Sequence, residues 1–294
     1  MCDRDNLASW AQAALTRRQA GAVGAGGMAA AAVGACAPLA GDPGEAAAAG
    51  QLVERAVRFA TPDGTMDGEF FHRARGAAPG VILWPDIAGI RPAKRQMARR
   101  LAEAGYAVLL ANPYYRDVAG QQFTDFADFA GNGGFQKVTP WRGRFTAETI
   151  LTDTRAIAGW LRQQDAVDDK RGIGAQGYCM TGSFALLAPA AAPALKAGAS
   201  FHGGGLVKPD DARSPHRMLT KSAHYLVAIA RNDDAKAPGD KDALRTAASA
   251  PGTRAEIEVY PADHGWCVPD SPSYDQAEAE RAWGRLLATY QAAL

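Results

Sequence analysis

The sequence predicts one doubly wound α/β domain, a mostly parallel sheet with helices on both faces, running from about residue 51 to 294. Three observations predict it. Short apolar runs without alternation, Val81-Ile82-Leu83-Trp84 and Ala107 to Ala111, read as strands buried on both faces. Segments of helical period separate such runs, so each strand pairs with a crossover helix and the sheet must be largely parallel. No internal repeat appears in the region.

The elements follow in order. Val53 to Ala60 and Gly68 to Ala74 flank Thr61-Pro62-Asp63-Gly64, a turn tetrad between β-like runs, and give an opening hairpin. After strand 81–84, Pro92 can start a helix with Met97, Leu101 and Ala104 on one face, which Gly105 ends. Between Pro113 and Phe145 periodicity dissolves into Tyr114, Tyr115, Phe123, Phe126, Phe129, Phe135 and Trp141, the composition of a functional loop or cap. A helix resumes at Thr146 with Ile150, Ile157 and Leu161. Strand and helix then alternate through 171–176, 183–190, 198–201, 225–230, 240–248 and 256–260 to a final helix carrying Trp283, Leu286, Leu287 and Tyr290.

A chain of 294 residues could hold two domains, but the first fifty read as address and tether. Arg17 and Arg18 precede an uncharged, weakly apolar run from Ala20 to Gly41, the pattern of a twin-arginine export signal. Val33-Gly34-Ala35-Cys36 has the form of a lipobox, so Cys36 is a candidate for lipidation and membrane anchoring, with simple cleavage as the rival. Residues 37–50, rich in Ala, Gly and Pro, form a flexible tether. The expected location is periplasmic or membrane-anchored outside the cytoplasm. Lys and Arg total 32 against 31 Asp and Glu, so no global field draws nucleic acid, and a small-molecule partner and a monomer are expected. Cys2, Cys36, Cys179 and Cys267 lack metal-site spacing, and neither metal nor cofactor is expected.

Gly177-Tyr178-Cys179-Met180-Thr181-Gly182 follows a buried strand and opens a helix. It has the form of the nucleophile elbow G-x-S-x-G with sulfur for oxygen. The glycines permit the strained turn that lifts the nucleophile above the sheet, while the helix N-terminus favours the thiolate. The rival reading is a structural cysteine in a glycine-rich turn. Elbow order places the acid and then the histidine later in the chain. His264 lies just past the last strand; His72, His216 and His224 occupy a hairpin, a linker and a strand start. His202, in Ser200-Phe201-His202-Gly203-Gly204-Gly205, ends a strand at the same edge and is expected to line the pocket. Asp233 and Asp234 follow strand 225–230, and either could hold the imidazole tautomer.

Together with Trp84-Pro85-Asp86-Ile87-Ala88-Gly89, Asn232-Asp233-Asp234 and His264-Gly265-Trp266, these motifs resemble the dienelactone hydrolase family of α/β-hydrolases over residues 51–294. The resemblance implies Cys179 as nucleophile, His264 as base and Asp234 as orienting acid, with Asp233 the alternative; Pro238 stands at the family's D-x-x-x-P offset from Asp234. It implies backbone N–H groups of Met180 and Ile87 as the oxyanion hole, and Asp86, His202, Tyr178 and Trp266 near the thiol or substrate. Members that open dienelactones carry Glu where Asp86 stands and Arg where Val268 stands. The expected reaction is hydrolysis of a small ester or lactone through a thioester, with an exported, non-catalytic ligand-binding protein as the alternative. A glutamine amidotransferase is disfavoured, because Trp266 occupies the position of its orienting Glu. A Cys179–Cys267 disulfide is a further possibility, behind two separate thiols.

Overall fold

Three of the eight strands lie in the first thirty-four residues that the structure, a computed structural model, describes; the described residues are 51–294. The expectations for Arg17, Arg18, Cys36 and the tether fall outside them. Strands β1 (Leu52–Thr61) and β2 (Gly64–Arg73) form the antiparallel hairpin that the Pro62-Asp63 turn predicts, and β2 pairs antiparallel with β4 (Ala107–Ala111). From β4 onward the sheet is parallel through β3 (Gly80–Trp84), β5 (Ile173–Tyr178), β6 (Leu195–Phe201), β7 (His224–Ala230) and β8 (Arg254–Tyr260). The complete order is β1-β2-β4-β3-β5-β6-β7-β8.

The apolar runs are buried on both faces because a sheet covered twice offers no wet side. Val81 and Leu83 pack with Leu101, Tyr178, Phe201, Trp266 and Leu286. Their neighbours Ile82 and Trp84 pack on the opposite face with Ile157, Leu161, Phe184 and Leu187. The first face is covered by α1 (Pro92–Glu103) and α8 (Gln276–Ala293); the second by α4 (Ala147–Leu161) and α5 (Gly182–Ala191). Asp275 caps α8 by accepting from Glu278 N–H, and Thr146 with Thr149 forms a reciprocal cap on α4.

The aromatic segment contains α2 (Phe126–Gly131) and α3 (Gly134–Arg142), too short for their periods to stand out in sequence. Phe123, Phe126 and Phe129 pack there with Ile87, Tyr114, Val138 and Cys179, so the cap belongs to the site. Two further helices, α6 (Arg231–Lys236) and α7 (Asp240–Ala248), connect β7 to β8. The first of these carries both candidate acids.

Candidate active site

β5 ends at Tyr178, and Cys179 begins a single 3-10 turn that passes directly into α5. Cys179 has φ +56°, left-handed space that costs a non-glycine residue roughly 1–3 kcal/mol and persists where the surroundings hold it. The flanking glycines explain how they do. A Cβ on Gly177 would lie 2.0 Å from Thr181 O, and one on Gly182 2.4 Å from Ser200 Oγ and 2.5 Å from Gly203 Cα. Thr181 Oγ1 ties the turn to the β3 exit by donating toward Trp84 O and Pro85 O, while accepting from Tyr178 N–H. The Gly204 N–H donates to Cys179 O at 3.0 Å.

His264 follows β8. Its backbone N–H donates to Asn232 Oδ1 at 2.9 Å, and its Nδ1 lies 2.6 Å from Asp233 Oδ2. A carboxylate oxygen accepts, so Nδ1 carries the hydrogen and Nε2 is left for proton transfer. Cys179 and His264 line one cleft with Asp86, Ile87, Phe126, His202 and Ser271. This cavity measures about 20 Å³, room for about one water. A second cavity of about 400 Å³ meets it at His264 and is lined by Met180, Asp233, Phe145 and the cations Arg142, Lys208 and Arg213. Sequence motifs gave no signal for that basic wall, because its cations come from two distant segments, the end of the Gly134–Arg142 helix and the loop between Phe201 and Pro215.

Several expectations need correction. The carboxylate on His264 is Asp233; Asp234 instead forms an ion pair with Lys241 Nζ at 2.7 Å. Consecutive residues of α6 point about 100° apart, so only one can face the His264 loop, and the offset to Pro238 does not report that direction. Tyr178 does not line the cleft. Its ring stacks on Phe201 and lies under Lys94 Nζ, facing a separate cavity with Cys267 on the α1/α8 side. Trp266 is buried against Tyr260 and His202, behind the cleft wall. Among the described residues no disulfide joins Cys179 and Cys267; burial pushes the Cys267 thiol up to about 12.

Asp86 reaches the cleft, but its hydrogen bonds serve the turn that carries Ile87. It accepts from Ala88 N–H at 3.0 Å, from both terminal nitrogens of Arg91 at 2.7 and 2.9 Å, and pairs with Lys94 Nζ at 2.9 Å. Arg91 is gripped on its other edge by Asp270, which also accepts from Phe126 N–H at the start of α2. Two carboxylates and two cations thus bind the Ile87 turn to the cap. No sequence signal distinguished Arg91 and Lys94 from solvated helix charges.

Burial would raise the Asp86 pKa, but the charges and hydrogen bonds of Arg91 and Lys94 overcome it and hold the carboxyl well below its usual range. A depressed folded-state pKa gives stability that is present above about pH 4 and lost as pH falls further. Asp86→Ala should cost about 3–5 kcal/mol at neutral pH, because it strands buried cations. Urea unfolding would measure the cost and show the variant's stability less sensitive to acid below about pH 4. A neutral-pH loss under about 1 kcal/mol would remove the network from the account of stability.

The dienelactone hydrolase family profile matches residues 66–294. A Salmonella typhi protein provisionally named a carboxymethylenebutenolidase is 27% identical over 216 residues, 72% of this chain and 76% of its own length. A Synechocystis protein with the same provisional name is 27% identical over 225 residues, 75% of this chain and 89% of its own. The crystal structure of a Klebsiella pneumoniae protein, provisionally described as a dienelactone hydrolase, superposes with a TM-score of 0.67 at 23% identity. It covers 82% of this chain and 99% of that one, a likeness of fold.

Proposed function

The chain belongs to the dienelactone hydrolase family, and from that premise we propose that it hydrolyses a small ester or lactone through Cys179, His264 and Asp233. The observation that carries the reading is the strained Cys179 elbow opening on the same cleft as an imidazole whose Nδ1 is fixed by a carboxylate.

In this mechanism His264 Nε2 takes the Cys179 proton, and the thiolate attacks the ester carbonyl. Backbone N–H groups of Met180, at the head of the elbow turn, and of Ile87 receive the developing oxyanion. Collapse breaks the C–O bond, and the imidazolium returns its proton to the leaving alkoxide. Water then attacks the thioester with His264 again as base, releasing the acid and restoring the thiol. Esters and lactones are favoured over amides, since an amine leaves poorly against a thiolate. The 400 Å³ cavity has the volume for the body of a small substrate, and Arg142, Lys208 and Arg213 suit polar or anionic substituents on it. Val268 stands at the position of the substrate arginine of members that open dienelactones, so recognition here differs from theirs.

The reading is tested by mixing the protein with a short p-nitrophenyl ester, quenching in acid and mapping the acyl mass. The acyl group should sit on the Cys179 peptide and not on that of Cys267. No turnover across a panel of esters and lactones, with ligand binding retained, would support the non-catalytic alternative.

A further inference from the structure

His202 stands out among buried side chains. Its ring is 1% exposed, and neither Nδ1 nor Nε2 has a hydrogen-bond partner. The other buried polar atoms in that condition, on Trp84, Ser200, Tyr260 and Trp266, belong to residues that do not line the Cys179 cleft; His202 does. A neutral imidazole has one donor and one acceptor, and leaving them unmade in a buried place costs roughly 1–3 kcal/mol. The backbone adds to this cost, for His202 sits at φ +39°, fixed by its N–H donating to Ala228 O at 2.8 Å. Such a side chain is held in place for a partner that the protein itself does not supply.

Geometry narrows the partner. The imidazoles of His202 and His264 meet edge to face with centroids 4.6 Å apart, close enough for one small molecule to contact both. The cavity that they share with Cys179 has room for about one water, whereas the larger cavity on the other side of His264 takes a substrate's body. Building on the hydrolase reading above, we propose that His202 is a positioning residue that holds the water which hydrolyses the thioester on Cys179. Water carries two hydrogens. As its oxygen bonds to the thioester carbon, one proton passes to His264 Nε2, and the other hydrogen remains on the oxygen, directed at the lone-pair nitrogen of His202. The C–S bond then breaks, the Cys179 thiolate takes the proton from His264, and the free acid leaves.

This task requires an imidazole that keeps its lone pair while its neighbour is charged. Burial first, and then the positive potential of His264 and Lys94, push His202 well below the usual histidine range. It therefore stays an acceptor throughout the cycle. Trp266, edge-on to the ring at 5.3 Å, and Tyr178 at 6.1 Å hold its plane.

The experiment separates the two half-reactions with p-nitrophenyl acetate. First-turnover nitrophenolate release reports acylation; the decay of the acyl mass on Cys179 after dilution reports hydrolysis. His202→Phe keeps the ring contacts and removes the acceptor. Acylation should stay within about threefold of wild type while acyl-enzyme decay slows about 10- to 100-fold, the scale of a mispositioned reactant. His202→Gln, which restores an acceptor, should recover part of the loss. Should His202→Phe fail to fold, His202→Gln must still slow decay more than acylation. Unchanged decay, or equal loss in both steps, overturns the role of His202 while leaving the hydrolase reading intact. A wild-type protein that never acylates Cys179 overturns the hydrolase reading instead.

Discussion

Cys179→Ala should lower kcat for a p-nitrophenyl ester on the order of 10⁶-fold, the scale at which loss of a triad nucleophile leaves only oxyanion stabilisation and binding. The fold should be undisturbed, because alanine occupies φ +56° at the same steric cost as cysteine. Among the described residues no other thiol lines the cleft. Cys267 faces a different cavity, and with its pKa pushed up to about 12 it holds almost no thiolate at neutral pH. Substrate affinity should survive, since the bulk of the pocket is contributed by the cap and the larger cavity. Stopped-flow turnover alongside equilibrium binding of a non-hydrolysable ketone analogue would measure both. Retention of more than about a hundredth of the activity would exclude Cys179 as nucleophile, for a loss under about a hundredfold is no larger than removal of one oxyanion donor causes. Weakened binding with intact kcat would point to a ligand-binding cysteine.

The sheet was legible because doubly covered strands leave a local trace. Val81 to Trp84 and Ala107 to Ala111 are apolar at every position, and the Thr61-Pro62-Asp63-Gly64 tetrad has one compact solution, a tight hairpin. The meeting of Cys179 and His264 at one cleft was legible for the same local reason: an elbow needs small residues at fixed offsets, and the histidine follows the last strand. What escaped depends on direction and on long-range pairing. Arg91 and Lys94 look like any exposed helix cations until Asp86 and Asp270, the latter 179 residues from Arg91, close around them. Tyr178, next to Cys179 in sequence, faces away from the cleft because successive residues at a strand end take opposite faces. The cap helices are six and nine residues long, shorter than the window in which a helical period declares itself. His202 was placed at the correct edge by strand order alone; its isolation from hydrogen-bond partners could be seen only in three dimensions.

The choice between the two adjacent acids gives the second large effect, and here position decides against the family's spacing. Asp233→Asn should lower kcat about 10⁴-fold with little change in substrate binding, because an amide at this site can donate to Nδ1 and stabilise the tautomer in which Nε2 holds the hydrogen. That imidazole cannot accept the thiol proton. The backbone bond from His264 to Asn232 Oδ1 keeps the loop in place, so the loss is one of proton placement and not of folding. Asp234→Asn removes only a partly exposed pair with Lys241, worth about 0.2–1 kcal/mol of stability, and should leave kcat within a few-fold of wild type. Parallel kcat measurements on the two variants, with thermal unfolding as the control for structure, distinguish the assignments. A large loss confined to Asp234→Asn would mean that α6 turns during catalysis to present the other carboxylate. Equal losses would mean that the helix acts on His264 as a unit. A loss confined to Asp233→Asn fixes the proton path as Cys179 to His264, with Asp233 holding the far side of the ring.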